Sequence, residues 1–203
     1  MRLLLLVLLS SAILSCSQPK QVSELTVVYP SPKLLKPFEL KDQNNQVVTN
    51  EHLIGQWNLL FLGYTSCPDI CPMTLAKLTH INKKISEFEN TQVWFVSVDP
   101  HRDTPTQRKD YIGYFDDSFL AVTHDHQHLF PFVRDIGLIY AINEAQETEY
   151  YVDHSASIAL INPSGELTAI FKPEFKKGHV PTVNIEYIIA DFEIISNTSK
   201  SRL

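Results

Sequence analysis

Trp57-Asn-Leu-Leu-Phe-Leu-Gly-Tyr-Thr-Ser-Cys67-Pro-Asp-Ile-Cys71-Pro72 is the stretch on which the fold turns. Trp57 to Leu62 is a nearly unbroken apolar run, the pattern of a strand covered on both faces. Leu75, Leu78, Ile81 or Asn82, Ile85 and Phe88 then recur at helical spacing, with lysines on the opposite face. Proline is tolerated in the first turn of a helix, because the amide it lacks has no partner there anyway. The helix is therefore expected to begin at Cys71-Pro72, with Cys67 in the loop before it. A buried strand that hands over to an amphipathic helix is the unit from which α/β folds are built.

The same alternation continues towards the C-terminus. Val93 to Val98 reads as a second buried strand. Pro105 to Phe115 reads as a helix with Thr104 as N-cap and proline at its first position. Phe119 to Val122 is a strand candidate, and His126 to Ile136 a helix candidate despite Pro131 inside it. Tyr150 to Val152 and Ser157 to Ile161 follow as strands. Asn162-Pro-Ser-Gly165 turns the chain into Leu167 to Phe171, and Val183 to Ile195 closes the fold as a helix before a frayed tail from Ser196. On the N-terminal side, Phe38 to Lys41 and Val47-Val48 flank Asp42-Gln-Asn-Asn45 as a small hairpin. These elements predict one α/β domain.

The 203 residues suffice for one core, and a formal net charge of −6 with no basic stripe argues against nucleic acid as a partner. Arg2, the apolar run Leu3 to Leu9 and the small residues after it describe an export signal over residues 1–15, too short to span a bilayer as a stable helix. Ile13-Leu-Ser-Cys16 resembles a bacterial lipobox, so Cys16 is the expected lipidation site; ordinary cleavage nearby is the alternative. Residues 16–36, polar and marked by Pro19, Pro30 and Pro32, read as a flexible tether, with Leu25 to Tyr29 as a short edge-strand candidate. Such a tether reaches roughly 25 Å. It would hold a domain spanning residues 37–196 at a bacterial membrane, in the periplasm or on the outer face of the cytoplasmic membrane, with residues 197–203 as a disordered tail.

Cys67 and Cys71 are the only cysteines beyond Cys16. At the positive end of a helix both sulfurs are expected to favour the thiolate, which is the form that exchanges disulfides and the form that binds metal. A purely structural disulfide closing so short a loop would contribute little. In an exported protein an idle pair would oxidise. The choice between bridge and metal turns on a third ligand. His52, His80, His101 and His179 have ordinary surface or loop positions, whereas His154 lies in Tyr150-Tyr-Val-Asp-His-Ser-Ala156, just before a strand whose edge can face the first strand-to-helix turn. A hydrogen-bonded loop histidine is the alternative reading. Asp69 and Asp153 are candidates to orient His154 or modulate the thiols, or are simply solvated loop acids.

Three segments in order, Gly63 to Leu75, Val96 to Pro105 and Val152 to Ala156, resemble the Sco/SenC family of thioredoxin-like, membrane-tethered copper proteins. The resemblance runs from about residue 36 to 195. It implies a thioredoxin-like α/β fold, a central mixed sheet flanked by helices with an N-terminal β-hairpin extension. It also implies that Cys67, Cys71 and His154 bind one copper ion. The family supports assembly of the binuclear copper centre of cytochrome c oxidase subunit II, so the implied partners are that subunit and a copper donor protein. Two thiolates and an imidazole are a soft set suited to Cu(I), with Cu(II) as the second state and zinc as the main competing metal.

Asn162-Pro163 stands where Asp-Pro is usual in the family, a turn substitution without consequence for copper. Arg102-Asp103 resembles a family signature and is expected to organise its loop. His124, His126 and His128 alternate in a segment less familiar there; they either collect Cu(II) or Zn(II) weakly or form a solvated helix start. Two rival activities remain. One is thiol–disulfide reduction by the redox pair Cys67 and Cys71. The other is a thiol peroxidase, suggested by Thr65 before Cys67 but poorly matched by the paired cysteines and His154.

Overall fold

The computed structural model describes residues 21–142 and 150–200. Cys16, the expected export signal and the end of the tail lie outside the described residues. In chain order the strands and helices are β1 (Thr26–Leu34), β2 (Glu39–Lys41), β3 (Val47–Thr49), β4 (Trp57–Gly63), α1 (Ile70–Ile85), β5 (Thr91–Ser97), α2 (Pro105–Gly113), β6 (Leu120–Val122), α3 (His126–Asp135), β7 (Tyr140–Ile142), β8 (Val152–His154), β9 (Ile158–Ile161), β10 (Glu166–Phe171) and α4 (Ile185–Lys200).

Six strands form one mixed sheet in the order β1-β10-β9-β4-β5-β6. β4, β5 and β6 are parallel neighbours, while β9, β10 and β1 add antiparallel partners beyond β4. β4 is buried along its whole length, which is why its sequence does not alternate. Leu75, Leu78, Ile81 and Ile85 of α1 are fully buried, and the helical stripe ends there, since Phe88 lies exposed. The remaining strands form two hairpins, β2 with β3 and β7 with β8.

Local capping follows the sequence closely. The Thr104 side chain accepts the Gln107 amide at the start of α2, and the Gln107 side chain reaches back to accept the Thr104 amide, so the helix start is closed from both sides. Asp125 caps α3 from one side only, its carboxylate accepting the His128 amide. Pro131 does not break α3. In the β2–β3 turn Asn45 takes φ 61°, a left-handed conformation that asparagine tolerates.

Two boundaries need correction. Residues 16–36 are not all tether, because Thr26–Leu34 forms the edge strand of the main sheet against β10. Asp191 on α4 explains the difference: it accepts the Ser23 amide, the Ser23 hydroxyl at 2.6 Å and the Thr26 hydroxyl at 2.5 Å. At the other end of the strand Asp135 receives Lys33 Nζ at 2.7 Å and the Lys36 amide at 2.7 Å. These partners lie about 100 or more residues away in the chain, so no local pattern announces them. The tail is likewise shorter than expected, since α4 continues to Lys200.

Candidate metal centre

The site is built where β4 ends. The parallel strands β4 and β5 run in register to Gly63 and Ser97, and the chain leaves β4 through Tyr64-Thr65-Ser66 to Cys67. α1 begins at Ile70, which puts Cys71 and Pro72 in its first turn, one residue later than a start at Cys71 would place them. Gly63 allows the close approach. A β-carbon there would lie 2.5 Å from Phe95 Cε2 and 3.0 Å from Cys71 Sγ, so the strand end has no room for a side chain.

Both cysteines are buried free thiols. His154 reaches them from β8: its Nε2 lies 3.5 Å from Cys71 Sγ, and its Nδ1 lies 3.1 Å from the Ser155 carbonyl. The Nε2–H tautomer donates to the Cys67 thiolate in the metal-free site, whereas the Nδ1–H tautomer donates to the Ser155 carbonyl and turns the Nε2 lone pair to the sulfurs, the form in which the ring can bind metal. The ring is held edge-on by Phe61 and Tyr64, at centroid distances of 5.9 and 6.1 Å. One ligand atom from each of Cys67, Cys71 and His154 lies within 4.8 Å of the others. With bonds of about 2.0–2.3 Å, the donors of a three-coordinate ion stand roughly 3.5–4 Å apart, so the cluster fits one ion after a small contraction.

The expectation of two thiolates is corrected to one. The hydrogen bond from Cys71, together with His154 and the backbone amides of the turn, lowers the Cys67 thiol to about 4 against the opposing effect of burial. Burial in the core, and then the neighbouring Cys67 thiolate, push Cys71 far up. The pair therefore shares one proton, with the charge on Cys67. Metal-free reduced protein should show about one thiolate per chain at neutral pH, by absorbance near 240 nm, persisting as pH falls until it is lost near 4. This native-state charge favours the fold above the ordinary thiol range and ceases to do so as pH falls through the depressed value. Two thiols titrating together in the ordinary range would contradict it.

Residues that sequence reasoning left without chemistry frame the cluster. Asp103, fully buried, accepts the Thr65 amide at 2.9 Å, the Thr65 hydroxyl at 2.6 Å and the Ser97 hydroxyl at 2.6 Å, which fastens the exit of β4 to the end of β5. Thr65 thus turns its hydroxyl to Asp103. Arg102 pairs with Asp99 and lies 3.8 Å from the Tyr150 ring centroid and 5.4 Å from that of Tyr64. Tyr150 also donates to Asp99 at 2.6 Å, so the segment before β8 is tied to the loop after β5. Loop organisation is what Arg102-Asp103 achieves. The signal was present in the sequence: a polar cluster directly after a buried strand marks the edge of a parallel sheet where loops gather. Asp69 and Asp153 are exposed, and neither is hydrogen-bonded to His154 among the described contacts. His154 itself is not in a loop; it ends β8, paired with Tyr140 of β7.

The architecture is thioredoxin-like, with a thiol pair at the start of the first crossover helix and a histidine brought to it from a hairpin. The chain belongs to the SCO1/SenC family, whose model matches residues 28–187. A putative copper-binding protein of Stutzerimonas stutzeri is 34% identical over 152 residues, covering 74% of each chain. Among solved structures, copper-bound ScoI of Arabidopsis thaliana is similar at 28% identity and TM-score 0.67, covering 82% of this chain and 99% of that one. Copper-bound ScoI of Bradyrhizobium japonicum is similar at 27% identity and TM-score 0.63, covering 79% and 97%.

Proposed function

We propose that this chain is a copper carrier for cytochrome c oxidase assembly, holding one copper ion on Cys67, Cys71 and His154. The observation that carries the reading is the convergence of both sulfurs with an imidazole nitrogen whose other nitrogen is tied to the Ser155 carbonyl. Two sulfurs and one nitrogen suit Cu(I), and the copper-bound relatives favour copper over zinc. The ion is cargo: it arrives from a donor protein and leaves by ligand exchange to the binuclear copper site of subunit II. His154 is only half-buried; the exposed Ile139 lies beside it across the β7–β8 pair and the exposed Tyr151 three residues before it, an apolar rim suited to a protein partner. Lipid on Cys16 would keep this exchange at the outer side of a bacterial membrane.

The second reading is reduction of the subunit's cysteines, and the asymmetry of the pair favours it. Cys67, less buried and ionised, would attack one sulfur of the client disulfide, expelling the other as a thiol and leaving a Cys67–client mixed disulfide; Cys71, fully buried, would then give up its proton and attack Cys67 Sγ, expelling the client's second thiol and closing the Cys67–Cys71 disulfide. Two electrons pass to the client, and the chain must be re-reduced by a thiol reductant.

Protein purified without oxygen from copper-supplied cells should carry about one copper per chain, with Cys67→Ser and Cys71→Ser each retaining little. Wild type without copper, or full copper retention in both variants, would sink the carrier reading.

A further inference from the structure

The segment Thr123-His-Asp-His-Gln-His128 has no part in the site at Cys67. Its alternate spacing would place three histidines on one face of a strand, but the segment opens α3. His124 stands just before the N-cap Asp125, and the chain entering the helix lays its ring over that of His128 in the first turn, with centroids 3.8 Å apart. Asp125 stands against both: its Oδ2 is 3.4 Å from His124 Nδ1, and its Oδ1 is 2.7 Å from His128 Nδ1. His126 leaves the group, with its Nδ1 2.8 Å from the Tyr140 hydroxyl.

Metal bonds of about 2.0–2.2 Å place neighbouring nitrogen and oxygen ligands roughly 3.0 Å apart at right angles and 3.4 Å apart in a tetrahedron. Asp125 Oδ2 and His124 Nδ1, 3.4 Å apart, already stand at the tetrahedral separation, and one ligand atom from each of the three residues lies within 4.8 Å of the others. We propose that His124, Asp125 and His128 form a second metal site, separate from the thiolate cluster, for a borderline divalent ion, Cu(II) ahead of Zn(II). Two imidazoles and a carboxylate offer no sulfur to a soft Cu(I) ion and match the divalent metals in the order in which nitrogen and oxygen ligands bind them.

The proton arrangement allows this. His128 Nδ1 now serves the Asp125 carboxylate, and binding moves its proton to Nε2. His124 Nδ1 gives up the Asp125 amide, 2.8 Å away, for the ion. Asp125 keeps Oδ1 as the cap of α3, accepting the His128 amide at 3.1 Å, and offers Oδ2. Asp125 and His128 are 58% and 46% exposed in their side chains, so water can complete the coordination and the ion can enter directly.

Position gives the site its interest. β4, β5 and β6 are parallel, and the loops after Gly63, Ser97 and Val122 leave from the same edge of the sheet. One opens to Cys67 and another to His124. Tyr140, which meets His126, is the register partner of His154. The two sites therefore lie at one end of the molecule and differ in ligand hardness, one suited to the reduced ion and one to the oxidised.

The test titrates Cu(II) into the full chain carrying Cys67→Ser and Cys71→Ser, read by electron paramagnetic resonance, and so does not depend on the carrier reading. About one equivalent should bind in a tetragonal nitrogen–oxygen environment, and adding His124→Ala or His128→Ala should weaken it at least about tenfold. His179→Ala, in an exposed loop, should leave it unchanged. No Cu(II) uptake by the double-serine chain, or uptake indifferent to His124 and His128, overturns the proposal. Should the double-serine chain fail to fold, Zn(II) added to reduced wild type already holding one equivalent of Cu(I) makes the same comparison. The His124 and His128 ring protons should then shift in the NMR spectrum, and unshifted rings overturn the proposal.

Discussion

His154→Ala is expected to reduce bound copper from about one ion per chain to nearly none, while thiol–disulfide exchange at Cys67 and Cys71 stays within about tenfold of wild type. The reason is a division of labour within the cluster. Copper needs the third donor, and Nε2 is the only imidazole nitrogen among the described residues grouped with the two sulfurs. Exchange needs an attacking thiolate and a resolving thiol. The largest influence lowering Cys67 is Cys71, with His154 a smaller one, so removing the imidazole raises the Cys67 thiol without restoring it to the ordinary range. Measuring copper content and insulin-type disulfide reduction on the same preparation separates the two roles. Tight stoichiometric copper in His154→Ala would remove His154 from the ligand set; loss of both activities would show that the imidazole serves the thiols more than the metal.

Gly63→Ala should destabilise the reduced, metal-free chain by about 2–3 kcal/mol and weaken copper binding as well. The new methyl would sit 2.5 Å from a carbon of the fully buried Phe95 ring and 3.0 Å from Cys71 Sγ. Neither neighbour is a flexible surface chain that can swing away. Phe95 packs against Tyr111 at a centroid distance of 5.5 Å, so moving it disturbs a second ring. Moving Cys71 instead displaces a ligand. Urea unfolding read beside copper affinity checks both consequences, and an unchanged midpoint would mean that the strand end yields more easily than its packing indicates.

The centre of the fold was legible because its determinants are local. A six-residue apolar run without alternation, closed by glycine, is too short for a buried helix and reads as a strand covered on both faces, and β4 is that strand. Thr104 before Pro105 marks a helix start by capping chemistry alone, and α2 begins there. The hairpin around Asp42 to Asn45 follows from turn residues in the same way. The edges were less legible. Leu25 to Tyr29 reads as an edge strand and is one, but the proline-marked continuation to Leu34 reads as tether, and what holds the strand's two ends is a pair of carboxylates, Asp191 and Asp135, on distant helices. The histidine segment opens a helix at Asp125, as the helix-start reading expects, but only the structure sends His126 to Tyr140 and lays His124, just before the helix, against His128.

By itself, then, the sequence determined the strand-to-helix junction, the two thiols at it and the order of elements around them. Each of these follows from periodicity, capping and the geometry of proline within a few residues. Only the tertiary structure decided that His154 ends a hairpin whose register brings Nε2 to a sulfur 83 residues earlier in the chain. It alone decided that the two thiols are unequal. Burial is a property of the assembled core, and it keeps the proton on Cys71 and the charge on Cys67.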